Sequence, residues 1–557
     1  MNLNIRAAKI MIDQLVKLGA DYFCVSPGSR STPLALAIAE HNQARAMVHF
    51  DERGTAFHAL GYAKATQKPA VVVTTSGTAV GNLLPAIMEA SKTHTPLIIL
   101  TADRPPELQN CGSNQTIDQV KIFSDFVGFE VNLPCPDPLI NDNYLKGSLA
   151  QAVFHARQGP VHINCMFREP LSGPTSYLPA HDVVSYGNLE MHPSQDSLES
   201  WAQELGSAKQ GVIIVGALPS GSQFDSLHAL AERLGWPIFP DIISGMRSEG
   251  VKGNVIAYYD LILKTWKDRK VEAVLHLGDQ FVSKALLEWV AQCNPRLYFS
   301  VSDHLGRQDP KHIVTHRLAC KPSLFCEKIL PLVSEGADCT EGWKEASLQI
   351  EECLKDKFSS LSQVTEPLIG FHLSDFEDRP IFLANSMPIR DADFFYFPKE
   401  KRGPIFANRG VSGIDGNIAT AIGLAQGGKK QTVAVLGDLA SLHDLNSLAM
   451  LKNAEYPVIF VIINNAGGAI FSFLPLAINK ETFEQFFATE HTWSFEKAAA
   501  LFEIPYHSPV TMKDCTRVFQ DCLQKNESCM IEIFTNRDEN HLLHQDILCS
   551  LSQFLVH

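Results

Sequence analysis

The sequence predicts an α/β protein with three doubly wound parallel-sheet domains. Short runs of apolar and β-branched residues recur along the chain, and segments of helical periodicity separate them. Strands that are apolar throughout are typical of parallel sheets whose two faces are covered by helices. The runs predicted to be strands are 71–75, 97–101, 161–164, 212–215, 273–277, 297–301, 381–384, 432–436, 458–463 and 530–534.

The predicted strands fall into three groups, and two breaks separate them. Residues 170–197 are rich in Pro, Ser, Gly and His without periodicity, which is typical of a linker. A second break, at 334–367, surrounds one charged helix predicted over 343–357. We therefore predict domains at 1–178, 195–335 and 366–557. The first and last groups could be two copies of one fold.

Composition and charge exclude several classes of protein. The chain has 557 residues, of which 45% are apolar, and a net charge of −14. An acidic chain lacks the basic face that nucleic acid requires, so an anionic substrate would need a local basic cluster. No apolar run approaches the roughly 20 residues of a membrane span. The first 18 residues predict an amphipathic helix, not a signal peptide.

The cysteines point to the compartment. Thirteen are present, and no two have the CxxC spacing that structural zinc sites commonly use. We expect reduced, mostly buried thiols, and therefore a cytoplasmic protein. From the acidic charge and the short apolar runs we expect neither a nucleic-acid nor a membrane partner.

Polar residues follow two predicted strands in the last third of the chain. Asp438 comes after the strand 432–436, and Asn465 comes after the strand 458–463. Carboxylate, amide and backbone oxygens suit Mg²⁺, while Gly467 and Gly468 would let the backbone approach a diphosphate. The alternative is that Asp438 caps a helix and the Asn/Gly run is only a turn.

Two other phosphate motifs are incomplete. Residues 423–430 approach a P-loop, but they lack its Ser/Thr and precede a strand, so we predict a helix C-terminus there. The strand end at 214–219 lacks the GxGxxG fingerprint, which disfavours a dinucleotide-dependent oxidoreductase.

Further polar and basic residues stand at strand ends, where parallel sheets bind ligands. Glu52 opens a helix after a short strand, and Ser76 and Gly77 open another that carries Asn82. Each basic residue alone is most simply a solvated or paired charge. Together they favour a substrate with several carboxylates, because Arg binds a carboxylate through two hydrogen bonds. The basic residues, with two neighbouring serines, are Ser29, Arg30, Arg104, Lys284, Ser386, Arg390 and Arg409.

These motifs resemble thiamin diphosphate enzymes of the decarboxylase and acetohydroxyacid synthase type. More narrowly, nearly the whole chain is similar to the 2-succinyl-5-enolpyruvyl-6-hydroxy-3-cyclohexene-1-carboxylate (SEPHCHC) synthase (MenD) family of menaquinone biosynthesis. The segments that carry the narrower resemblance are 26–31 (SPGSRS), 50–54 (FDERG), 101–108 (TADRPPEL), 111–115 (CGSNQ), 408–416 (NRGVSGIDG) and 467–471 (GGAIF).

The resemblance implies pyrimidine-binding, central and diphosphate-binding domains, with active sites between the subunits of a homodimer or homotetramer. It implies that Glu52 contacts the cofactor's aminopyrimidine and that Ile414 supports the bent cofactor. Mg²⁺, or Mn²⁺ in its place, would be held by Asp438, Asn465 and the Gly467 carbonyl. The further cofactor-binding residues that it implies are Ser76, Gly77, Asn82, Ser412, Gly437, Leu439, Ala469, Ile470 and Phe471.

The implied substrates are 2-oxoglutarate, which loses CO₂, and isochorismate, which accepts the succinyl unit by 1,4-addition. Both carry two carboxylates, in agreement with the basic residues. The residues that the resemblance implies around them are Ser29, Arg30, Arg104, Gln115, Lys284, Ser386, Arg390 and Arg409.

The sequence departs from the family pattern at two positions, and two alternatives stay open. Ala285 stands where some members carry a second basic residue, and Ala466 where some carry a third Asn. The alternatives are another thiamin diphosphate enzyme, such as a 2-oxo acid decarboxylase or acetolactate synthase, and a catalytically silent subunit that binds the cofactor only for assembly.

Overall fold

The computed structural model describes residues 2–175, 183–184, 186–187, 189–266, 268–474 and 479–555. Within them lie sheets of six, five and six strands, and every strand pairing in these sheets is parallel. The predicted fold class and all ten predicted strands are confirmed. The exact domain boundaries stay a prediction. Residue 1, and residues 176–182, 185 and 188 of the predicted linker, lie outside the described residues.

The first sheet has the strand order β2-β1-β3-β4-β6-β5. Its strands are β1 Tyr22–Val25, β2 Arg45–Val48, β3 Ala70–Thr74, β4 Leu97–Asp103, β5 Phe129–Leu133 and β6 Val161–Met166. The helices of this domain are α1 Leu3–Lys17, α2 Thr32–Ala39, α3 Glu52–Thr66, α4 Thr78–Gly81, α5 Leu84–Lys92 and α6 Asp142–Ala156.

The central sheet has the order β11-β10-β9-β7-β8. Its strands are β7 Gly211–Val215, β8 Ile238–Pro240, β9 Ala273–Leu277, β10 Leu297–Ser302 and β11 His316–Ala319. The helices are α7 Gln195–Ser207, α8 Asp225–Leu234, α9 Tyr259–Thr265, α10 Lys284–Cys293 and α11 Pro322–Ile329. The predicted charged helix follows as α12, Glu341–Ser359.

The third sheet has the order β13-β12-β14-β15-β17-β16. Its strands are β12 Ile381–Leu383, β13 Ile405–Ala407, β14 Thr432–Gly437, β15 Val458–Asn464, β16 Tyr506–His507 and β17 Cys529–Phe534. The helices are α13 Glu366–His372, α14 Met387–Phe395, α15 Asn417–Gly428, α16 Asp438–His443, α17 Lys480–Phe483, α18 Glu496–Leu501, α19 Met512–Lys525 and α20 Arg537–Phe554. Numbered within its own domain, this order is the same as that of the first sheet.

Two further expectations are tested by the helices. The segment that approached a P-loop is the end of α15, where Lys429 takes a left-handed conformation as the C-cap, so the predicted helix C-terminus is confirmed. Among the described residues, no helix is both long and apolar enough to span a membrane.

Helices α3 and α15 join the first and third domains through backbone contact. A Cβ at Gly61 would lie 2.1 Å from the Thr420 carbonyl oxygen, and one at Gly423 would lie 2.0 Å from the His58 carbonyl oxygen. Glycine is therefore required at both positions for the helices to approach this closely. One hydrophobic core contains side chains of both helices and of both sheets.

A buried lysine fixes the loop that follows β13. Lys64 Nζ donates to Glu89 Oε1 (3.2 Å), the Ala407 carbonyl (2.8 Å) and Asn408 Oδ1 (2.9 Å). Glu89 in turn accepts hydrogen bonds from the backbone N–H groups of residues 410 and 411. This loop, which carries Arg409, is thus held by the first domain.

The central domain is joined to the third by a buried ion pair. Arg247 donates to both the carbonyl (2.7 Å) and the Oδ1 (2.8 Å) of Asp393, and both side chains are 1% exposed. Tyr259 also donates to the same carboxylate, at 3.4 Å. These directed donors oppose the desolvation cost of the buried carboxylate, although burial still raises the pKa of Asp393.

We expect Gly423→Ala to destabilise the protein by about 1–3 kcal/mol, because its Cβ overlaps the backbone of α3 and the helices must separate. The melting temperature, followed by intrinsic fluorescence, measures the effect. Gly428→Ala is the matched control in the same helix, since a Cβ there would meet nothing within 4 Å. Equal melting temperatures for the two variants would contradict the close contact.

Candidate active site

The predicted metal motifs meet at one edge of the third sheet. Strands β14 and β15 are hydrogen-bonded neighbours, so Asp438 and Asn465 stand side by side at their carboxyl ends. Asp438 is the first residue of α16, and its Oδ1 accepts from the next backbone N–H, of Leu439, at 2.6 Å. Asp438 therefore does stand at a helix start, as the alternative interpretation expected. Only its Oδ1 is used there, and Oδ2 makes other contacts.

That second oxygen joins three loops. Asp438 Oδ2 accepts from the Gly467 N–H at 2.9 Å and lies 3.2 Å from His491 Nε2. Burial raises the pKa of Asp438, while the two backbone donors and His491 oppose the shift. A buried carboxylate with so few charged partners favours a cation beside it.

Asn465, which lines the same cavity as Asp438, has an unpaired side-chain oxygen. Its Nδ2 donates to Glu366 Oε1 at 3.0 Å, and its buried Oδ1 has no hydrogen-bond partner among the described residues. Buried polar atoms are normally paired, so a bare amide oxygen next to a carboxylate fits a hard cation such as Mg²⁺. Burial and nearby Asp391 raise the pKa of Glu366 to about 8.

A cavity of about 260 Å³ opens over these residues. The predicted residues that line it are Ser386, Arg390, Arg409, Ser412, Ile414, Gly437, Asp438, Leu439, Asn465, Gly467, Ala469, Ile470 and Phe471. Sequence reasoning missed several other lining residues, among them Glu366, Asn385, Met387 and Pro388. Asn385 lies two residues after the end of β12, so the rule that ligands lie beyond strand ends could have found it; nothing in the sequence marked Glu366.

Two guanidinium groups lie together in this cavity. Arg409 Nη1 donates to Asn385 Oδ1 at 2.8 Å, and Arg390 Nη1 donates to the Ser386 carbonyl at 2.6 Å. Burial lowers the pKa of both, and the charge of Arg409 lowers that of Arg390 further. Adjacent, partly buried positive charges favour binding of an anion between them.

A second group of predicted residues lies at the carboxyl edge of the first sheet. Gln115 Nε2 donates to the Ser76 carbonyl at 3.0 Å, and Ser76 Oγ donates to the Gln115 carbonyl at 2.9 Å. Arg104 also donates to Ser76 Oγ, and Gly77, at φ 80°, donates its N–H to Gln119 Oε1. Burial and the neighbouring Arg30 lower the pKa of Arg104, so a second pair of guanidinium groups lies here.

The remaining first-domain residues flank this group. Glu52 begins α3, and its Oε2 accepts from Asn82 Nδ2 at 3.3 Å. Arg30 donates to the Phe167 carbonyl at 2.9 Å, and exposed Ser29 precedes it.

Within the described part of one chain, the two groups do not share a cavity. No predicted residue of the first domain lines the 260 Å³ cavity. Lys284 joins neither group: its side chain is 81% exposed at the start of α10 and pairs with Glu288 at 3.5 Å. A larger cavity of about 630 Å³ lies between the three domains, and Arg409 also lines that one. Neither Asp438 nor Asn465 lines this larger cavity, so the candidate metal site is not in the larger of the two cavities.

Family comparisons match all three domains. The thiamine pyrophosphate enzyme N-terminal TPP binding domain matches residues 5–122, the middle domain matches 180–374 and the C-terminal TPP binding domain matches 392–533. Over 97% of both chains, the sequence is 41% identical to the SEPHCHC synthase of Rubrobacter xylanophilus. The synthase of Salinibacter ruber is 37% identical over 98% of this chain and 96% of its own.

The chain belongs to the SEPHCHC synthase family of thiamin diphosphate enzymes. A third relative is the chloroplastic protein PHYLLO of Arabidopsis thaliana. It is 34% identical to this chain, and the match covers 98% of this chain and 35% of PHYLLO. Benzoylformate decarboxylase from Polynucleobacter necessarius has the same fold, with a TM-score of 0.74, 17% identity and coverage of 96% of this chain and 99% of that one.

The loop that brings His491 to Asp438 is anchored by a buried carboxylate. Glu532, on β17, is 0% exposed and accepts from Asn464 Nδ2 (2.6 Å), Ser494 Oγ (2.9 Å) and Tyr506 OH (2.7 Å). It also accepts from the N–H of Phe495 at 3.0 Å. Glu532 therefore ties Ser494 and Phe495, which follow His491 in this loop, to β17.

We expect Glu532→Gln to lower the free energy of unfolding by about 1–3 kcal/mol, because an amide N–H₂ would face donors and leave one unpaired. The measurement is the melting temperature without added cofactor. Glu496→Gln, on the exposed surface of α18, is the control and should melt with the wild type. A Glu532→Gln protein of unchanged stability would show that the loop is anchored elsewhere.

Proposed function

We propose that this family member decarboxylates 2-oxoglutarate and adds the succinyl unit to isochorismate, giving 2-succinyl-5-enolpyruvyl-6-hydroxy-3-cyclohexene-1-carboxylate for menaquinone biosynthesis. The observation that carries the proposal is the buried pair of Asp438 and unpartnered Asn465 Oδ1, set beside two guanidinium groups in one cavity. Full-length relatives with this enzyme name support it.

The oxygen atoms of the candidate site support a divalent cation and thiamin diphosphate as its ligands. Thiamin diphosphate, when bound, supplies an electron sink for the pair of electrons that decarboxylation leaves. Asp438, Asn465 Oδ1 and the Gly467 carbonyl would hold Mg²⁺, or Mn²⁺, against the diphosphate, since all three are oxygen donors. The other cavity residues, from Ser412 and Ile414 to Phe471, would enclose the cofactor and exclude water.

Glu52 would hold and exchange a proton with the aminopyrimidine, and Asn82 would orient its carboxylate. Because Glu52 lies outside the cavity of its own chain, we propose that it completes the site of a second subunit. The active enzyme would then be at least a homodimer, with each site built from the first domain of one chain and the third domain of the other.

The basic residues would bind the substrate carboxylates. Arg390 and Arg409 stand in the diphosphate-side cavity, and Arg30 and Arg104 stand beside Ser76 and Gln115 on the other side. Guanidinium groups bind carboxylates with fixed geometry, so the two pairs would orient two dicarboxylic acids. Ser29, Lys284 and Ser386 remain proposed substrate contacts, Lys284 only in the assembled enzyme.

All thirteen cysteines are unpaired, which supports a cytoplasmic location.

The reaction itself is tested by mixing the protein with thiamin diphosphate, Mg²⁺, 2-oxoglutarate and isochorismate, and identifying the product by mass. We expect the succinyl adduct only when all four are present. Release of CO₂ without the adduct would support a simple 2-oxo acid decarboxylase, and no reaction by cofactor-loaded protein would support a silent subunit.

We expect Glu52→Gln to reduce turnover by about 10²-fold or more, the range typical of a positioned acid–base group. Steady-state rates at saturating cofactor measure the loss, and an unchanged melting temperature shows that folding is intact. Glu40→Gln, whose exposed carboxylate pairs with Lys9, is the control. Near-native turnover by Glu52→Gln would refute the role.

Asp438→Ala is expected to weaken Mg²⁺-dependent cofactor binding by about tenfold or more, because one anionic oxygen and the Gly467 N–H partner are lost together. Isothermal titration with thiamin diphosphate at fixed Mg²⁺ measures this. Asp546→Ala, which removes an exposed partner of Lys357, should bind as the wild type does. Equal affinities for both variants would remove Asp438 from the ion's ligands.

A further inference from the structure

Glu366 stands directly behind the proposed metal ligand Asn465. It begins α13, the helix that follows the break between the central and third domains, and it is 1% exposed. Its Oε1 accepts from Asn465 Nδ2 and from Thr535 Oγ1, both at 3.0 Å. Thr535 follows β17 and Asn465 follows β15, and these strands are neighbours. Glu366 therefore hydrogen-bonds to the first residue after β15 and the first residue after β17.

The contact decides which end of the Asn465 amide faces the cavity. An amide has one accepting and one donating end, and rotation by half a turn exchanges them. Glu366 Oε1 acts as an acceptor, so it pairs with the donating end of Asn465, Nδ2. The accepting Oδ1 is left buried and without a partner among the described residues, and Asn465 lines the same cavity as Asp438.

We propose that Glu366 is a positioning residue that holds the Asn465 amide with its oxygen toward the divalent cation. This inference rests on the proposed function, because it requires the cation at Asp438 and Asn465. Groups that orient metal ligands commonly change metal affinity by about 10–100-fold when they are replaced.

Glutamine at position 366 is the most informative substitution. It keeps the volume of the side chain but can present either an oxygen or an N–H₂ group to Asn465. Both orientations of the amide then become available, and in one of them N–H₂ faces the cation. Where Glu366 is ionised, Glu366→Gln also removes a negative charge near the site, so its effect has to be separated from simple electrostatics.

A double-mutant cycle makes that separation. Mn²⁺ is titrated into the full-length protein with thiamin diphosphate, and free Mn²⁺ is followed by electron paramagnetic resonance. The proteins are the wild type, Glu366→Gln, Asn465→Ala and the double variant. If Glu366 acts through Asn465, Glu366→Gln weakens Mn²⁺ binding by about tenfold or more when Asn465 is present. It then changes binding by less than about twofold when Asn465 is absent.

Two results would overturn the inference. One is Mn²⁺ affinity of Glu366→Gln within about twofold of the wild type, which is below the effect of an orienting group. The other is an equal loss with and without Asn465, which would show that only the charge of Glu366 matters. If Glu366→Gln does not fold, Glu366→Asp replaces it in the cycle, since a shorter carboxylate keeps the charge but withdraws from Asn465.

Two further variants separate this inference from the proposed metal site. Thr535→Val removes the other donor to Glu366 Oε1 but leaves Asn465 in place, and it should bind Mn²⁺ as the wild type does. Asp438→Ala should lose Mn²⁺ binding. If Asp438→Ala binds normally, the metal site is wrong and the role of Glu366 falls with it. If only Asp438→Ala loses binding, the metal site stands and Glu366 does not orient its ligand.

Discussion

The backbone contact between α3 and α15 is the constraint on which the rest of the structure depends. Gly61 and Gly423 let two helices from different domains touch without side chains between them, and a shared core extends from this contact into both sheets. Lys64, on the same helix α3, then fixes the loop that carries Arg409. The positions of Glu52, at the start of α3, and of Arg409 are thereby set by one rigid unit.

This unit keeps the two groups of candidate site residues at separate sheet edges of one chain. The first domain offers its Glu52 and Arg104 group at one sheet edge, while the third domain offers Asp438 and Asn465 at another. Because α3 and α15 lock the two domains together, the groups cannot meet by a domain movement that leaves this core intact. Association of two chains is the simpler way to bring them together.

Buried polar groups around the candidate metal site hold its two proposed ligands through hydrogen bonds. Both oxygens of Asp438 accept a backbone N–H and keep further accepting capacity, whereas Asn465 donates through Nδ2 and its Oδ1 has no partner among the described residues. Glu532 holds the loop in front of Asp438, and Glu366 lies behind Asn465. Two buried carboxylates thus hydrogen-bond to segments next to the two residues that are proposed to bind the cation.

Sequence by itself predicted the fold class, ten of the strands and the residues of the candidate site. Apolar runs located the ten predicted strands, and the residues just beyond them included Asp438, Asn465, Arg390 and Arg409, because parallel strands expose their carboxyl ends. Only the tertiary structure decided which of these share a cavity, since that depends on strand order and domain packing. It alone revealed Glu366, whose partner lies 99 positions away, and it left Lys284 exposed. Contacts between distant positions carry no local periodicity, so no pattern in the sequence could predict them.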